Sequence, residues 1–151
     1  KMKSNVISSL IEKGKIIDDV PGKTVQEVYR HVCDAIEFPE NLSADQVYEA
    51  LILREELLST AVGNGIALPH PRKSILREEE SERIYIFFAK DPLDMGSPDG
   101  SLVSVFFLLL TKNRSTHLEI LSSIAKMTQL PEIREKLINT KSDKDIITLF
   151  Q

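Results

Sequence analysis

A histidine held between two prolines is the residue of this chain best suited to chemistry. His70 lies between Pro69 and Pro71. The prolines restrict the backbone around the imidazole to extended conformations, so the ring is carried on a stiff segment. A neutral imidazole is a competent nucleophile near neutral pH, and a stiff backbone reduces the entropy lost when the ring is aligned with a phosphorus atom. The pattern fits a phosphoryl acceptor, although a surface histidine in a proline-rich turn is the simpler interpretation of these residues alone.

A glycine-rich stretch precedes this histidine. Gly63, Asn64 and Gly65, called the glycine segment below, permit positive φ and close approach of the backbone to a ligand. Successive N–H groups in such a turn can form an anion-binding nest, so the segment is a candidate substrate-binding site. The same Asn-Gly pair is equally typical of a hairpin turn.

Two further residues are candidates for holding an anion. His117 follows Thr116, a predicted helix cap, so it is placed in the first helical turn, where N–H groups and the helix dipole favour negative charge. The dipole also disfavours imidazolium, which predicts a neutral His117. Arg54 ends a predicted helix, and its guanidinium suits bidentate contact with phosphate oxygens. The alternatives are that His117 is a helix-start histidine without a role and that Arg54 forms a surface ion pair.

Other chemistries find little support in the sequence. Cys33 is the single cysteine and lies among apolar residues of a predicted helix, so it is interpreted as a core residue. His31 lies in the middle of the same helix and is interpreted as structural or as a surface residue. The sequence contains no zinc-binding spacing, nucleotide-binding loop or hydrolase nucleophile motif. No metal and no other cofactor is implied.

Size and composition limit the possible functions. The chain has 151 residues, which predicts one domain spanning residues 1–151. Its net charge is -4 and basic residues do not cluster along the sequence, so nucleic acid is a poor candidate partner. The longest strongly apolar run, Leu102 to Leu110, is roughly half as long as a membrane-spanning helix, and the N-terminus does not resemble a secretion signal. We therefore expect a cytoplasmic protein without direct membrane insertion.

Helix and strand signals alternate along the chain. Thr24, Ser43 and Thr116 each precede a Glu or Gln by three residues, which is the spacing of a capping box at a helix start. Helices are predicted at about 4–13, 24–36, 43–54 and 116–130, with two more opening at Pro131 and after Ser142. Strands are predicted at 16–17, 60–68, 84–89 and 102–110. Nearly continuous apolarity in the last strand indicates that both its faces are covered, which predicts an α/β fold.

The motifs together resemble those of a known protein family. They are, in chain order, Arg54-Glu55, Ser59-Thr60, Gly63-Asn64-Gly65-Ile66-Ala67-Leu68-Pro69-His70, Asp99-Gly100 and His117-Leu118. In order and approximate spacing they resemble the enzyme IIA family of the bacterial phosphotransferase system, in its fructose, mannitol and nitrogen-regulatory class, also called type 2. The resemblance covers nearly the whole chain. It implies a single domain with a mixed, mostly parallel β-sheet flanked by helices on both faces.

The resemblance also implies a role for each candidate residue. His70 would accept a phosphoryl group from the histidine phosphocarrier HPr or its nitrogen-branch counterpart, and His117 and Arg54 would flank and stabilise that group. Thr60 and the glycine segment would contact it as substrate-binding residues. The family more often has a small residue where this chain has Pro71. That departure puts the docking of the donor and the stiffness of the loop in question.

Several functions are compatible with these residues. A phosphocarrier would pass the phosphoryl group to an enzyme IIB partner or regulate target proteins by its phosphorylation state. The nitrogen-regulatory type is favoured because the sequence contains no fused enzyme IIB or membrane segment, and a sugar-specific enzyme IIA is the alternative. A binding module that has lost phosphotransfer, and a hydrolase with His70 as a transient nucleophile, are further alternatives. The joint presence of His70, His117 and Arg54 argues against the binding module.

Overall fold

Helices and strands alternate in the folded chain. A computed structural model describes residues 4–140 and 142–151. The helices are α1 (Ser4–Lys13), α2 (Val25–Ala35), α3 (Ala44–Leu57), α4 (Arg114–Met127), α5 (Pro131–Asn139) and α6 (Asp143–Leu149). The strands are β1 (Ile16–Val20), β2 (Ala61–Gly63), β3 (Ile66–Ala67), β4 (Arg83–Leu93) and β5 (Val103–Leu110). Within the described residues, no helix combines the length and the apolar character needed to cross a membrane.

One mixed sheet organises these elements. Across the described residues its strands follow the order β1-β4-β5-β3-β2. The pairings of β1 with β4 and of β3 with β5 are parallel, whereas β4 with β5 and β2 with β3 are antiparallel. The central position of β5 matches its nearly continuous apolar sequence. The predicted α/β fold with a mixed sheet is confirmed.

The two faces of β5 pack against different helices. Phe106 and Leu108 belong to the core layer that includes α2 and α3. Phe107 and Leu109 belong to the layer that includes α1, α4, α5 and α6. All four side chains are fully buried, and burial of a side chain of this size stabilises a fold by about 1.5–3 kcal/mol. The helices therefore cover both faces of the sheet, as predicted.

The predicted strand at 60–68 is instead a hairpin of two short strands. Asn64 and Gly65 adopt φ values of 58° and 79° between β2 and β3. Two successive residues with positive φ make the type I′ reversal that an Asn-Gly pair favours. Of the two interpretations of this Asn-Gly pair, the hairpin turn is the one that the structure shows.

Two of the three predicted helix caps that precede a Glu or Gln are confirmed, and the third is wrong. The Thr24 side chain accepts the Glu27 N–H, and Ser43 forms a complete capping box. The last of the three helices begins earlier than Thr116, because the Asn113 side chain accepts the Thr116 N–H and caps α4 three residues upstream. Asparagine is as good a helix cap as serine. His117 consequently lies one residue beyond the first three positions of α4.

Both edges of the sheet are short or interrupted. Edge strand β1 changes register between Ile17 and Val20, where Asp19 adopts a φ of 54°. The opposite edge strand, β2, has only three residues. Regular backbone pairing is therefore confined to the middle of the sheet.

Candidate functional site

His70 is held beside the end of the central strand. The β3 segment runs parallel to β5, and beyond it the Pro69 carbonyl accepts the Leu109 N–H at 2.9 Å. This bond attaches the chain to β5 immediately before the histidine. The proline-flanked segment is thus stiffened by its own covalent geometry and by attachment to the most buried strand.

His117 reaches the same place from the other side. Strand β5 ends at Leu110 and α4 begins at Arg114, so a short connection carries the chain to His117. The centroids of the two imidazole rings are 4.6 Å apart, and the ring planes make an angle of 62°. The structure therefore brings together two histidines that lie 47 positions apart in the sequence.

The backbone of His117 does not offer the free N–H that the sequence predicts. This N–H donates to the Asn113 carbonyl at 2.9 Å, as in the body of a helix. The reason is the upstream cap, which moves the start of α4 to Arg114. Any contact of His117 with an anion must accordingly come from its ring.

The contacts of His70 fix which ring nitrogen carries the proton. Its Nδ1 lies 2.7 Å from the Leu68 carbonyl oxygen. Because a carbonyl oxygen only accepts hydrogen bonds, Nδ1 is the donor, and in the neutral ring Nε2 then keeps its lone pair. Burial lowers the pKa of His70 from its usual value and outweighs the hydrogen bond to Leu68, which raises it; of the nearby charges, Arg54 lowers this pKa and Glu55 raises it. The neutral ring, with Nε2 as the nucleophilic atom, is therefore favoured near pH 7.

The ring of His117 is also neutral. Burial lowers the pKa of His117 to about 4, with further lowering by His70, Arg114 and Arg54. The sequence-based expectation of a neutral ring agrees with this, and burial is the largest cause of the lowered pKa. Its Nδ1 lies 2.7 Å from the Thr111 hydroxyl, which orients the ring.

Both histidines line a pocket of about 690 Å³ that is rich in basic side chains. Its lining residues include four exposed cations, called the cationic rim below, namely Arg72, Lys73, Lys112 and Arg114. Arg54 lines the pocket as well and donates one hydrogen bond to the Leu58 carbonyl at the end of α3. A guanidinium has five N–H donors, so donors remain for a ligand. The pocket is positive although the whole chain carries a net charge of -4.

The glycine segment does not take part in this pocket. The Asn64 N–H donates to the Asp99 carboxylate at 2.8 Å, and the Gly65 N–H donates to the Ser101 hydroxyl at 3.0 Å. These donors are already satisfied, so the segment is not an anion-binding nest. A Cβ added to Gly63 would lie 3.1 Å from Asp99, which explains why glycine suits this position. The structure places the segment at the hairpin, away from this pocket, and the substrate-binding role predicted for it stays a prediction.

Thr60 is also turned away from the pocket. It is buried, and its hydroxyl and backbone N–H both donate to the Glu55 carboxylate, at 2.8 and 2.6 Å. A buried hydroxyl with a strong acceptor of this kind serves the local structure. The predicted contact of Thr60 with a substrate is not supported.

The sequence-based reasoning missed several residues of the pocket. Thr111 orients His117, and the Ser74 hydroxyl donates to the Thr111 carbonyl at 2.6 Å, which ties the segment after His70 to the end of β5. Arg72 and Lys73 of the cationic rim directly follow Pro71, and Lys112 and Arg114 lie a few positions before His117. This proximity in sequence to both histidines was the signal that could have identified them.

Cys33 and His31 lie outside the site, as expected. Cys33 is fully buried, and burial raises the pKa of its thiol to about 12, so the thiolate is disfavoured. His31 lies on the same helix with an exposed side chain. Both agree with the structural or surface interpretation of these residues.

Comparison with known proteins places the chain among phosphotransferase proteins. The family model described as "Phosphoenolpyruvate-dependent sugar phosphotransferase system, EIIA 2" matches residues 9–151. The chain is 33% identical to a nitrogen regulatory protein of Pseudomonas aeruginosa, with 87% of this chain and 85% of the relative covered. It is 37% identical to the mannitol-specific phosphotransferase enzyme IIA component of Bacillus subtilis, with 64% and 66% covered.

A solved structure gives the same result for the fold. The crystal structure of the nitrogen regulatory protein IIA-Ntr from Neisseria meningitidis superposes with a TM-score of 0.83 at 27% identity, covering 97% of this chain and 99% of the other. The agreement extends over nearly the full length of both chains. The chain therefore belongs to the type 2 enzyme IIA family of the phosphoenolpyruvate-dependent sugar phosphotransferase system.

Proposed function

We propose that this protein is a cytoplasmic phosphocarrier that accepts a phosphoryl group on Nε2 of His70 and hands it to a partner protein or signals by carrying it. The observation that carries the proposal is the pairing of two neutral imidazoles, with ring centroids 4.6 Å apart, in a pocket lined by cations. Membership of the enzyme IIA family supports an HPr-like donor and an enzyme IIB or regulatory acceptor.

The proposed transfer needs no group beyond the two proteins. The lone pair of His70 Nε2 attacks the phosphorus of the donor phosphohistidine. A new N–P bond forms while the donor N–P bond breaks, and the donor imidazole leaves with the electron pair of that bond. The Nδ1 proton of His70 stays in its hydrogen bond to the Leu68 carbonyl, which disperses the positive charge that the ring acquires.

The other pocket residues stabilise the phosphoryl group in this proposal. We assign the Thr111 hydroxyl as the donor in its 2.7 Å contact with Nδ1 of His117, which leaves the Nε2–H of that ring free to donate to a phosphoryl oxygen. Arg54 and the cationic rim offset the negative charge of the phosphoryl oxygens. Fixed donors and charges of this kind act without reorganising during transfer.

Exposed leucines on α3 and in the pocket lining suit the docking of a partner protein. Leu53 and Leu57 lie on the last turns of α3, the helix that carries Arg54, with 64% and 62% of their surfaces exposed. Leu118 lines the pocket and is 51% exposed. Apolar side chains next to charged ones are typical of the surfaces on which transient protein complexes form.

We favour the nitrogen-regulatory branch over sugar uptake. The Pseudomonas aeruginosa and Neisseria meningitidis relatives are both named as nitrogen regulatory proteins and match this chain over most of their length. The mannitol-specific relative supports the alternative of a sugar-specific enzyme IIA. Transfer assays with nitrogen-branch and sugar-branch donors, and with an enzyme IIB acceptor, separate the two.

The primary prediction concerns the acceptor atom. Incubation with phosphoenolpyruvate, enzyme I and HPr, or with the nitrogen-branch pair, should add one acid-labile phosphoryl group to the chain, detected by mass. His70→Ala should remain unmodified, whereas His31→Ala, a change at an exposed histidine far from the pocket in sequence, should be modified at the wild-type rate. Modification that persists in His70→Ala would refute the proposal, as would no modification with either donor pair.

A second prediction separates acceptance from onward transfer. His117→Ala should still accept a phosphoryl group, because its ring forms no bond to phosphorus, but should pass it to the acceptor roughly a hundredfold more slowly, since a donor to the transferring group is lost. Single-turnover transfer from the purified phosphorylated variant measures this step. Unchanged onward transfer would contradict the role assigned to His117.

The neutral state of His117 predicts a pH dependence of stability. The folded pKa of about 4 lies below the ordinary value of 6.5, so the unfolded chain binds the proton more tightly. The His117 contribution is constant above pH 6.5 and is lost as the pH falls towards 4. In His117→Asn, which can retain a bond to Thr111, the free energy of unfolding should fall by roughly 1–2 kcal/mol less than in the wild type between pH values of about 6.5 and 4. This value is reduced because the ring is partly exposed.

Urea unfolding at pH values of about 7, 5.5 and 4.5 tests this dependence. The measured quantity is the free energy of unfolding of the wild type minus that of His117→Asn. This difference should decrease as the pH falls, because the wild type loses more stability than the variant. A difference that stays constant over the interval would show that His117 is not held neutral.

A fourth prediction concerns the cationic rim. The double variant Arg72→Glu, Lys73→Glu should reduce the second-order rate constant for acceptance by roughly tenfold at low ionic strength, because the incoming phosphoryl group is anionic. High salt should narrow the difference. The matched control, Lys90→Glu with Lys126→Glu, makes the same charge change at exposed positions outside the pocket lining. Equal losses in both double variants would indicate an effect of net charge alone.

A further inference from the structure

The carboxylate of Glu55 gathers three hydrogen bonds close to the site. Its Oε1 accepts the hydroxyls of Tyr29 and Thr60, at 2.7 and 2.8 Å, and its Oε2 accepts the backbone N–H of Thr60 at 2.6 Å. Glu55 follows Arg54 on the last turns of α3. Its side chain faces α2 and the start of the hairpin, and phosphoryl transfer as proposed above gives it no part.

Tyr29 anchors this carboxylate to the buried middle of the sheet. The tyrosine is fully buried on α2. Its ring makes edge contacts with Phe87 and Phe106, with centroid distances of 6.3 and 6.1 Å. Those two residues belong to β4 and β5, so the position of Glu55 is set by the middle of the sheet. Edge contacts between aromatic rings contribute specific geometry as well as apolar burial.

Two further hydrogen bonds lead from Thr60 to the reactive histidine. The Thr60 carbonyl accepts the Leu68 N–H at 3.0 Å. The Leu68 carbonyl in turn accepts the Nδ1–H of His70 at 2.7 Å. Leu68 is thus held by Thr60 through its N–H and holds the His70 ring through its carbonyl. Thr60 is itself fixed by Glu55, which accepts both its N–H and its hydroxyl. Glu55 is therefore the first residue in the series of hydrogen bonds that ends at His70.

We propose that Glu55 is a positioning residue for phosphoryl transfer, which acts through Thr60 and Leu68 to keep the proton on Nδ1 of His70. The proposal rests on the proposed function, since a fixed tautomer matters only if Nε2 is the nucleophile. When Thr60 loses its acceptor, the Leu68 carbonyl moves away from Nδ1. The His70 ring then adopts the Nε2–H tautomer in part, and in that form Nε2 has no lone pair in the ring plane for attack.

The tautomer of His70 is the readout that distinguishes positioning from a purely structural role. In Glu55→Gln one of the two carboxylate oxygens becomes an NH₂ group that cannot accept, so the Thr60 N–H and the hydroxyls of Thr60 and Tyr29 can no longer all donate to this side chain. Two-dimensional ¹H–¹⁵N spectra of the imidazoles report which nitrogen is protonated, without any phosphoryl donor. The wild type should show the Nδ1–H form of His70, and Glu55→Gln should show a mixture of both forms, with faster hydrogen exchange at the Leu68 amide.

Kinetics should change in the rate of the chemical step rather than in donor binding. The single-turnover rate constant for acceptance should fall by about tenfold or more in Glu55→Gln, because the attacking atom is misaligned or protonated in part of the population. The KM for the donor should stay the same, since the cationic rim and the exposed leucines are untouched. A loss caused by general unfolding would instead reduce the active fraction and leave the rate constant of the folded molecules unchanged.

Glu56→Gln is the matched control, because it makes the same chemical change one position later at an exposed side chain. Its tautomer and rate should equal those of the wild type. Tyr29→Phe provides a second variant in case Glu55→Gln fails to fold, since it removes only the hydroxyl that holds Oε1 and preserves the volume of the core. It should shift the tautomer in the same direction by a smaller amount.

The outcomes separate the two proposals. A His70 tautomer that is unchanged in folded Glu55→Gln, or in Tyr29→Phe if Glu55→Gln does not fold, overturns the positioning role. An altered tautomer with an unchanged single-turnover rate constant overturns it too. A wild-type chain that shows the Nδ1–H form but accepts no phosphoryl group from either donor pair refutes the proposed function instead, whatever the variant spectra show.

Discussion

The burial of β5 on both faces is the constraint on which the rest of the structure depends. Its side chains contact one layer of helices on each face, so the strand cannot shift without disturbing the whole core. Both histidines are attached at its carboxyl end, His70 through the bond from the Leu109 N–H to the Pro69 carbonyl and His117 through the short connection to α4. The distance between the rings is therefore set by a strand that is buried on both faces, and the orientation of each ring is set by its own hydrogen bond, to the Leu68 carbonyl for His70 and to the Thr111 hydroxyl for His117.

The electrostatics of the pocket serve two requirements at once. A nucleophilic imidazole must be uncharged, and an incoming phosphoryl group must be attracted. Partial burial keeps His70 and His117 neutral, and the adjacent cations disfavour protonation further while they draw an anion inward. The chain achieves this with a net charge of -4 by collecting basic side chains from three separate segments around one pocket. The net charge of the chain gives no indication of this collection.

Local chemistry made part of this site predictable from the sequence. The prolines around His70 and the hydroxyl caps at Thr24 and Ser43 act over a few residues, and the predictions built on them agree with the structure. The partners of the glycine segment could not be predicted in this way, because the Asn64 and Gly65 N–H groups donate to Asp99 and Ser101, about 35 residues away. The connections made by Glu55 depend equally on contacts between distant elements. Such partners depend on topology, which periodicity and capping patterns do not encode.

The interrupted edges of the sheet have a consequence for how the protein meets other molecules. Strand β2 offers three residues of backbone, and β1 is broken where Asp19 leaves the extended conformation. An extended peptide added to either edge would find few aligned donors and acceptors, which also discourages the self-assembly to which open sheets are prone. Association by strand addition is thereby disfavoured, so recognition through side chains, such as those displayed around the end of β5, is favoured over recognition through exposed backbone.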